Sequence, residues 1–190
     1  MRAATEIIAQ SGLSEQLVRA SQDGSSEAQR ELYECYKVKV YSLAVYLTGD
    51  AEVARDLTQE IFLKVFHDLR AFRFESSFSS WLYRLATNTC LNALRSRRRR
   101  HEVDIEEVIG TPAEADASCS PEQLQVDRST RHAVRKAILS LKPPLRAVVV
   151  LRYIENLSYG EIAEALSCSP GTVAARLNRA HRLLERKLKY

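Results

Sequence analysis

Thr172, Arg176, Arg179, Arg182 and Arg186 recur every three or four residues near the end of this 190-residue chain. At helical spacing they form one cationic stripe, and guanidinium groups suit both phosphates and guanine edges in a major groove. The residues before them supply a mount. Ser158 and Glu161 have the spacing of a capping box, which starts a short helix carrying Ile162, Ala163 and Leu166. Ser169-Pro170 then restarts the chain, with Ser at N-cap and Pro at the first helical position. Small Ala163 allows close approach of the two helices, and Val173 and Leu177 seal their corner. A capped short helix, a tight turn and a longer basic helix make a helix-turn-helix.

A second constellation lies between Arg70 and Arg100. Phe72-Arg73-Phe74 alternates aromatic and cationic groups in a loop. On the following helix Trp81, Arg84, Asn88 and Arg95 share a stripe, and the helix ends in a run of arginines. Aromatic faces, an amide and guanidinium groups are the side chains that hold unstacked bases and their phosphates. The same residues also fit a plainer role. Phe72, Phe74 and Trp81 could plug the core, and the basic run could complement a helix C-terminus.

A third face carries Glu52, Asp56, Gln59, Glu60, Leu63 and His67 opposite an apolar stripe. A leucine ringed by acids and amides fits the docking of a partner helix. Catalytic arrangements are not found. His67, His101, His132 and His181 have no metal-ligand spacing with Cys or acid. There is no G-x-S-x-G, no Gly-rich phosphate loop and no H-E-x-x-H. No cofactor, metal or small-molecule substrate is expected, and the chain does not read as an enzyme.

The elements that position these groups read as helices throughout. Ala28, Leu32, Tyr36, Val40, Leu43 and Leu47 predict a helix from Ser26 to Leu47, stopped by Gly49 and followed by Asp50 as the next N-cap. Ala54, Leu57, Ile61, Val65 and Leu69 predict a helix from Ala51 to Leu69. Phe78, Leu82, Leu85, Ala86, Thr89 and Ala93 predict one from Phe78 to about Arg98. Val134, Ala137, Ile138 and Leu141 mark another, stopped by Pro143-Pro144, and Leu145 to about Glu155 the next.

Charge divides the chain. Residues 1–100 carry 15 Lys/Arg against 12 Asp/Glu; residues 101–127 carry 8 acids and no Lys/Arg; residues 128–190 carry 13 Lys/Arg against 4 acids. Two basic modules flanking an acidic spacer point to a polyanionic partner. The spacer contains Gly110, Pro112 and Pro121 and lacks a sustained helical stripe, so it is expected to be a flexible linker. The expected fold class is all-α, with helical domains at 1–100 and 128–190 joined by the acidic linker 101–127. Cys35, Cys90, Cys119 and Cys168 are scattered singly, which disfavours a zinc site or a disulfide framework and fits a cytoplasmic location. The longest solid apolar run, Ala147 to Leu151, is too short to span a bilayer, and the N-terminus shows no signal-peptide core. No membrane insertion is expected.

Three stretches resemble a known family. DAEVARDLTQEIFLKVFHDLRAF, followed by FSSWLYRLATNTCLNALRSRRRR, resembles region 2 of bacterial sigma factors. LSYGEIAEALSCSPGTVAARLNRAHRLLERKL resembles region 4. Both regions joined by a short linker are similar to the extracytoplasmic-function (ECF) class. The resemblance runs from about Leu17 to Leu188.

It implies a promoter-specificity subunit of RNA polymerase that recognises −35 and −10 elements and helps open the DNA. Asp56, Gln59, Glu60 and Leu63 would bind the coiled-coil clamp helices of the largest core polymerase subunit. Phe72, Arg73, Trp81, Arg84 and Asn88 would hold the −10 non-template strand. Ser169, Thr172, Arg176, Arg179 and Arg182 would read the −35 duplex. The acidic linker would thread toward the RNA exit path, and an anti-sigma factor is implied as a further partner. Two departures stand out. Ala174 and Ala175 occupy positions where the family often has a basic and a small polar residue, and Ser167 replaces the Gly usual in the turn.

The alternative is a helix-turn-helix regulator that binds duplex promoter DNA without polymerase, its N-terminal domain serving dimerisation. A duplex binder has no need of the Phe72 loop and the Trp81/Asn88 stripe. A helical adaptor with no DNA role is disfavoured by the basic C-terminal module.

Overall fold

The computed structural model describes residues 15–101 and 121–188. Helix α1 covers 15–22. It is followed by α2 (Ser26–Thr48), α3 (Ala51–Asp68), a 3-10 turn (Leu69–Ala71), α4 (Phe78–His101), α5 (Pro121–Leu139), α6 (Pro143–Tyr153), α7 (Tyr159–Ala165) and α8 (Pro170–Leu188). The described residues contain no strand. The all-α expectation holds, and Val148-Val149-Val150 lies within α6.

The boundaries follow local chemistry. The α2–α3 hairpin turns at Gly49, whose φ of +80° lies in the left-handed region and whose N–H donates to the Val45 carbonyl. A side chain there would also press on Leu139, 3.2 Å from the position a Cβ would take. The Asp50 carboxylate then accepts from the Glu52 and Val53 N–H groups, satisfying two otherwise orphaned donors of α3.

Helices α1–α4 bury Val18, Leu32, Val40, Leu43, Leu47, Ile61, Val65 and Leu82. Helices α5–α8 bury Val148, Leu151, Ile162, Val173, Leu177 and Ala180. The two groups do not stand apart. Their buried residues form one continuous apolar cluster, with α7 packed on α4 and with α5 and α6 packed on α2. Arg146 joins them. Its guanidinium donates to the Leu47 carbonyl at the end of α2 and to the Leu139 and Leu141 carbonyls at the end of α5. A cation on helix C-terminal carbonyls is favourable in charge and satisfies orphan acceptors. Burial holds its pKa below the usual guanidinium range.

The expected linker needs correction at both ends. His101 closes α4, and Pro121 opens α5, so the stretch from Pro121 to Asp127 is helix rather than spacer. The rest of the acidic stretch, including Cys119, lies outside the described residues, as does the N-terminal segment read for a signal peptide.

Candidate polymerase and promoter interfaces

The first face is the outer side of α3. Ala54, Leu57, Ile61 and Val65 are buried, which turns Asp56, Gln59, Glu60 and Leu63 outward. Leu63 is 73% exposed. Glu60 pairs with Lys64 one turn on at 2.5 Å. Both side chains are well solvated, so the pair is worth only about 0.3–0.5 kcal/mol and leaves Glu60 free to exchange partners.

The second face combines the loop after α3 with α4. Arg73, Arg84 and Asn88 are exposed and Trp81 is half-buried. A groove of about 320 Å³ runs between Asp68, Ala71, Trp81, Arg84, Asn88 and Asn92. That is the lower end of the size of small-ligand sites. It presents an aromatic ring, amides and a guanidinium, the groups that stack on a base and bond to its edge. Arg95, on the same stripe, is exposed and donates to the Asn92 side chain.

Phe72 does not join this exposed set. It is 7% exposed. Its ring packs against Phe74 at 4.8 Å, Trp81 at 5.3 Å and Phe78 at 6.0 Å between centroids. The expectation that it offers a free face to an unstacked base is corrected: Phe72 supports Trp81 from behind. The cause is the short 3-10 turn, which directs its side chain down onto the start of α4.

The third face is α8 with its turn. Both halves of the Ser158/Glu161 capping box form, at 3.3 and 2.8 Å. Ser169 caps α8 by accepting from the Thr172 N–H at 3.1 Å, and its hydroxyl pairs with that of Thr172. Arg179 and Arg182 are fully outward. Arg176 is half-buried, with a guanidinium N–H directed at the Cys168 sulfur 3.9 Å away. The turn keeps its tight geometry despite lacking Gly, because Ser167 adopts a φ of +49°. Left-handed backbone at a residue with a Cβ costs about 1 kcal/mol.

The second and third faces meet. A larger space of about 460 Å³ opens between Arg73, Trp81 and Arg84 on one side and Glu164 and Ser167 on the other. The helix-turn-helix therefore lies over part of the α4 face.

The spacing of residues gave no signal for two side chains on α1. Gln22 and Arg19 both touch the Phe72 loop, about fifty positions along the chain. Elsewhere the described residues contain no cluster of His, Cys, Asp and Glu able to hold a metal, and no helix long and apolar enough to cross a membrane. Cys90 is a buried thiol whose pKa burial pushes up to about 12, which makes it core filler rather than a nucleophile.

Known proteins match over both halves. The Sigma-70 region 2 family covers residues 32–100 and the Sigma-70 region 4 family covers residues 131–184. The chain is 31% identical over 178 residues to the ECF RNA polymerase sigma factor SigW of Bacillus subtilis, which spans 90% of this chain and 95% of that protein. It is 36% identical over 180 residues to the RNA polymerase sigma-H factor of Pseudomonas aeruginosa, over 92% and 93% of the two chains. The ECF RNA polymerase sigma-E factor of Escherichia coli is 34% identical over 177 residues, 90% of this chain and 92% of that protein. Among solved structures, CnrH in complex with the cytosolic domain of CnrY shares the fold at a TM-score of 0.68 and 23% identity, covering 92% of this chain and 96% of that one. The sigma factor RpoE of Bartonella quintana, bound to the anti-sigma factor NepR, does so at 0.70 and 23% identity, over 84% and 96%. With relatives of this identity spanning nearly all of its length, the chain belongs to the ECF class of RNA polymerase sigma factors, the subunits that give the polymerase its promoter specificity.

Proposed function

We propose that this sigma factor divides its work among the three faces. The α3 face, with Asp56, Gln59, Glu60 and Leu63, docks on helices of core polymerase. The groove at Trp81, Arg84 and Asn88, with Arg73 beside it, takes a base of the −10 non-template strand. The exposed side of α8, led by Ser169, Thr172, Arg179 and Arg182, reads the −35 duplex. Arg176 joins this set once its guanidinium leaves Cys168. The observation that carries the reading is the groove of about 320 Å³ flanked by an aromatic ring, amides and a guanidinium on α4. A regulator that binds only intact duplex has no use for it. The factor supplies no reacting group of its own; bond formation belongs to the polymerase it joins. Its place of action is the cytoplasm, and an anti-sigma factor, such as the NepR bound to its structural relative RpoE, is its expected antagonist.

The conformation with the two halves packed together is the resting one. The −35 and −10 elements are about 25 positions apart, roughly 85 Å of duplex at 3.4 Å per base pair. A compact chain of this length has a radius of gyration of about 16 Å. Both elements can be engaged together only after α5–α8 leave α2 and α4, which also opens the side of α4 at Trp81 and Arg84 that faces Glu164 and Ser167.

The test is run-off transcription with purified core polymerase on a library of promoter sequences. Enrichment of templates that share a −35 and a −10 motif is expected. Core polymerase that transcribes no template better with this chain than without it would overturn the reading.

A further inference from the structure

The Phe72 loop is held from outside by α1. Gln22, at the end of α1, spends both hydrogens of its side-chain amide on this loop. It donates to the Leu69 carbonyl at 2.9 Å and to the Phe72 carbonyl at 2.8 Å. Leu69 also accepts from the Phe72 N–H at 3.0 Å, closing the 3-10 turn. The amide therefore gives the Leu69 carbonyl a second donor and supplies one to the Phe72 carbonyl, just past the end of the short helix. One turn earlier on α1, the Arg19 guanidinium lies 4.3 Å from the centroid of the Phe74 ring. Phe74 itself is strained, with a φ of +58°. A bulky side chain in that region persists only where its surroundings hold it. The ring contacts both the Arg19 guanidinium and the Phe72 ring.

The loop so held is one wall of the groove. Ala71 lines the groove directly, and the buried Phe72 ring braces Trp81 from behind, 5.3 Å between centroids. We propose that Gln22 and Arg19 are positioning residues for −10 strand recognition, fixing the Leu69–Phe74 backbone so that Ala71 and Trp81 stand at the spacing one base needs. This rests on the strand-reading role of the α4 groove proposed above. Neither residue touches the strand. Their effect passes through the backbone of residues 69–72 and the Phe72–Trp81 contact.

The test uses holoenzyme assembled from core polymerase and the full chain. Wild-type holoenzyme first selects a single-stranded DNA from a pool of random sequence. Binding of that oligonucleotide, and of versions with one base replaced, is then compared for wild type, Gln22→Met, Gln22→Lys and Arg19→Leu. Met matches Gln in length but has no donor, whereas Lys restores donors to the two carbonyls. Gln22→Met is expected to weaken the selected strand about three- to tenfold and to flatten the preference among bases. Gln22→Lys should recover much of that preference. Arg19→Leu should weaken the strand about threefold. Affinity for core polymerase and for a −35 duplex should not change in any of them, which a general loss of structure would not spare. Arg19 is well exposed, so its variant remains a test even where Gln22→Met does not fold.

Unaltered strand affinity and base preference in Gln22→Met and Arg19→Leu would overturn the proposal while leaving the groove as the reading site. Equal loss of polymerase binding would overturn it too, by making α1 a general support. Failure of the wild type to select any strand would remove the strand-reading role itself, and the positioning role with it.

Discussion

The Tyr83 hydroxyl on α4 donates to a Glu155 carboxylate oxygen just after α6, at 2.5 Å, across 72 positions of sequence. This bond spans the boundary between the two Sigma-70 family regions. Burial raises the pKa of both groups; on Glu155 the hydrogen bond from Tyr83 and the charge of Lys39 pull the other way without cancelling it. The phenol therefore stays protonated and remains the donor.

The contact between the two halves should depend on pH. Glu155 has a raised pKa while packed and an ordinary one when released. Its contribution to closure is fully present below the ordinary carboxylate value and is lost as pH rises through the raised one. Tyr83→Phe leaves the carboxylate without its donor, at a cost of about 1–3 kcal/mol. Small-angle scattering should show a larger radius of gyration for Tyr83→Phe than for wild type, and for wild type at pH 8 than at pH 5. A radius that is the same in all these samples would rule out this bond as a determinant of closure.

Phe72 and Asn88 should separate in their effects. Phe72→Ala empties a buried site and should cost about 3 kcal/mol of stability, along with strand binding. Asn88→Ala, at an exposed position, should leave the denaturation midpoint within about 0.5 kcal/mol of wild type and lower open-complex yield alone. Chemical denaturation beside run-off yield on a duplex promoter makes the comparison. A destabilised Asn88→Ala would mean that the amide is structural.

Ser167→Gly should stabilise the chain. Glycine removes the penalty of the +49° backbone at the turn, offset in part by greater freedom when unfolded, for a net gain of up to about 0.5 kcal/mol. A thermal melt decides it; a lower midpoint would show that the Ser167 side chain contributes more than its backbone costs.

Leu63→Arg combined with Gln59→Ala should weaken core polymerase binding without unfolding the free chain, because both side chains point outward from α3. Helicity of the free variant and its affinity for core polymerase are the two readings. Unchanged affinity would remove α3 from the polymerase interface.

Much of the molecule is legible from local patterns. Residues three and four apart share a helix face, so the buried stripe of α3 predicted its outward face, Leu63 included. Gly49, Asp50, the Ser158/Glu161 box and Ser169 act through bonds to their own neighbours, so the ends they mark need no knowledge of the rest of the chain. The run of acids and prolines was a weaker guide: it read as spacer up to Asp127, yet α5 begins at Pro121. The pairings that tertiary structure decided join residues far apart. Whether Phe72 faced solvent or core depended on Phe78, Trp81 and the direction of a 3-10 turn. Gln22 became a support of that loop only when α1 packed beside it. Tyr83 met Glu155, and Arg146 met the end of α2, only when the two halves closed. Periodicity states which face of a helix is apolar. Which other element covers that face, and which polar groups it carries along, is settled by packing.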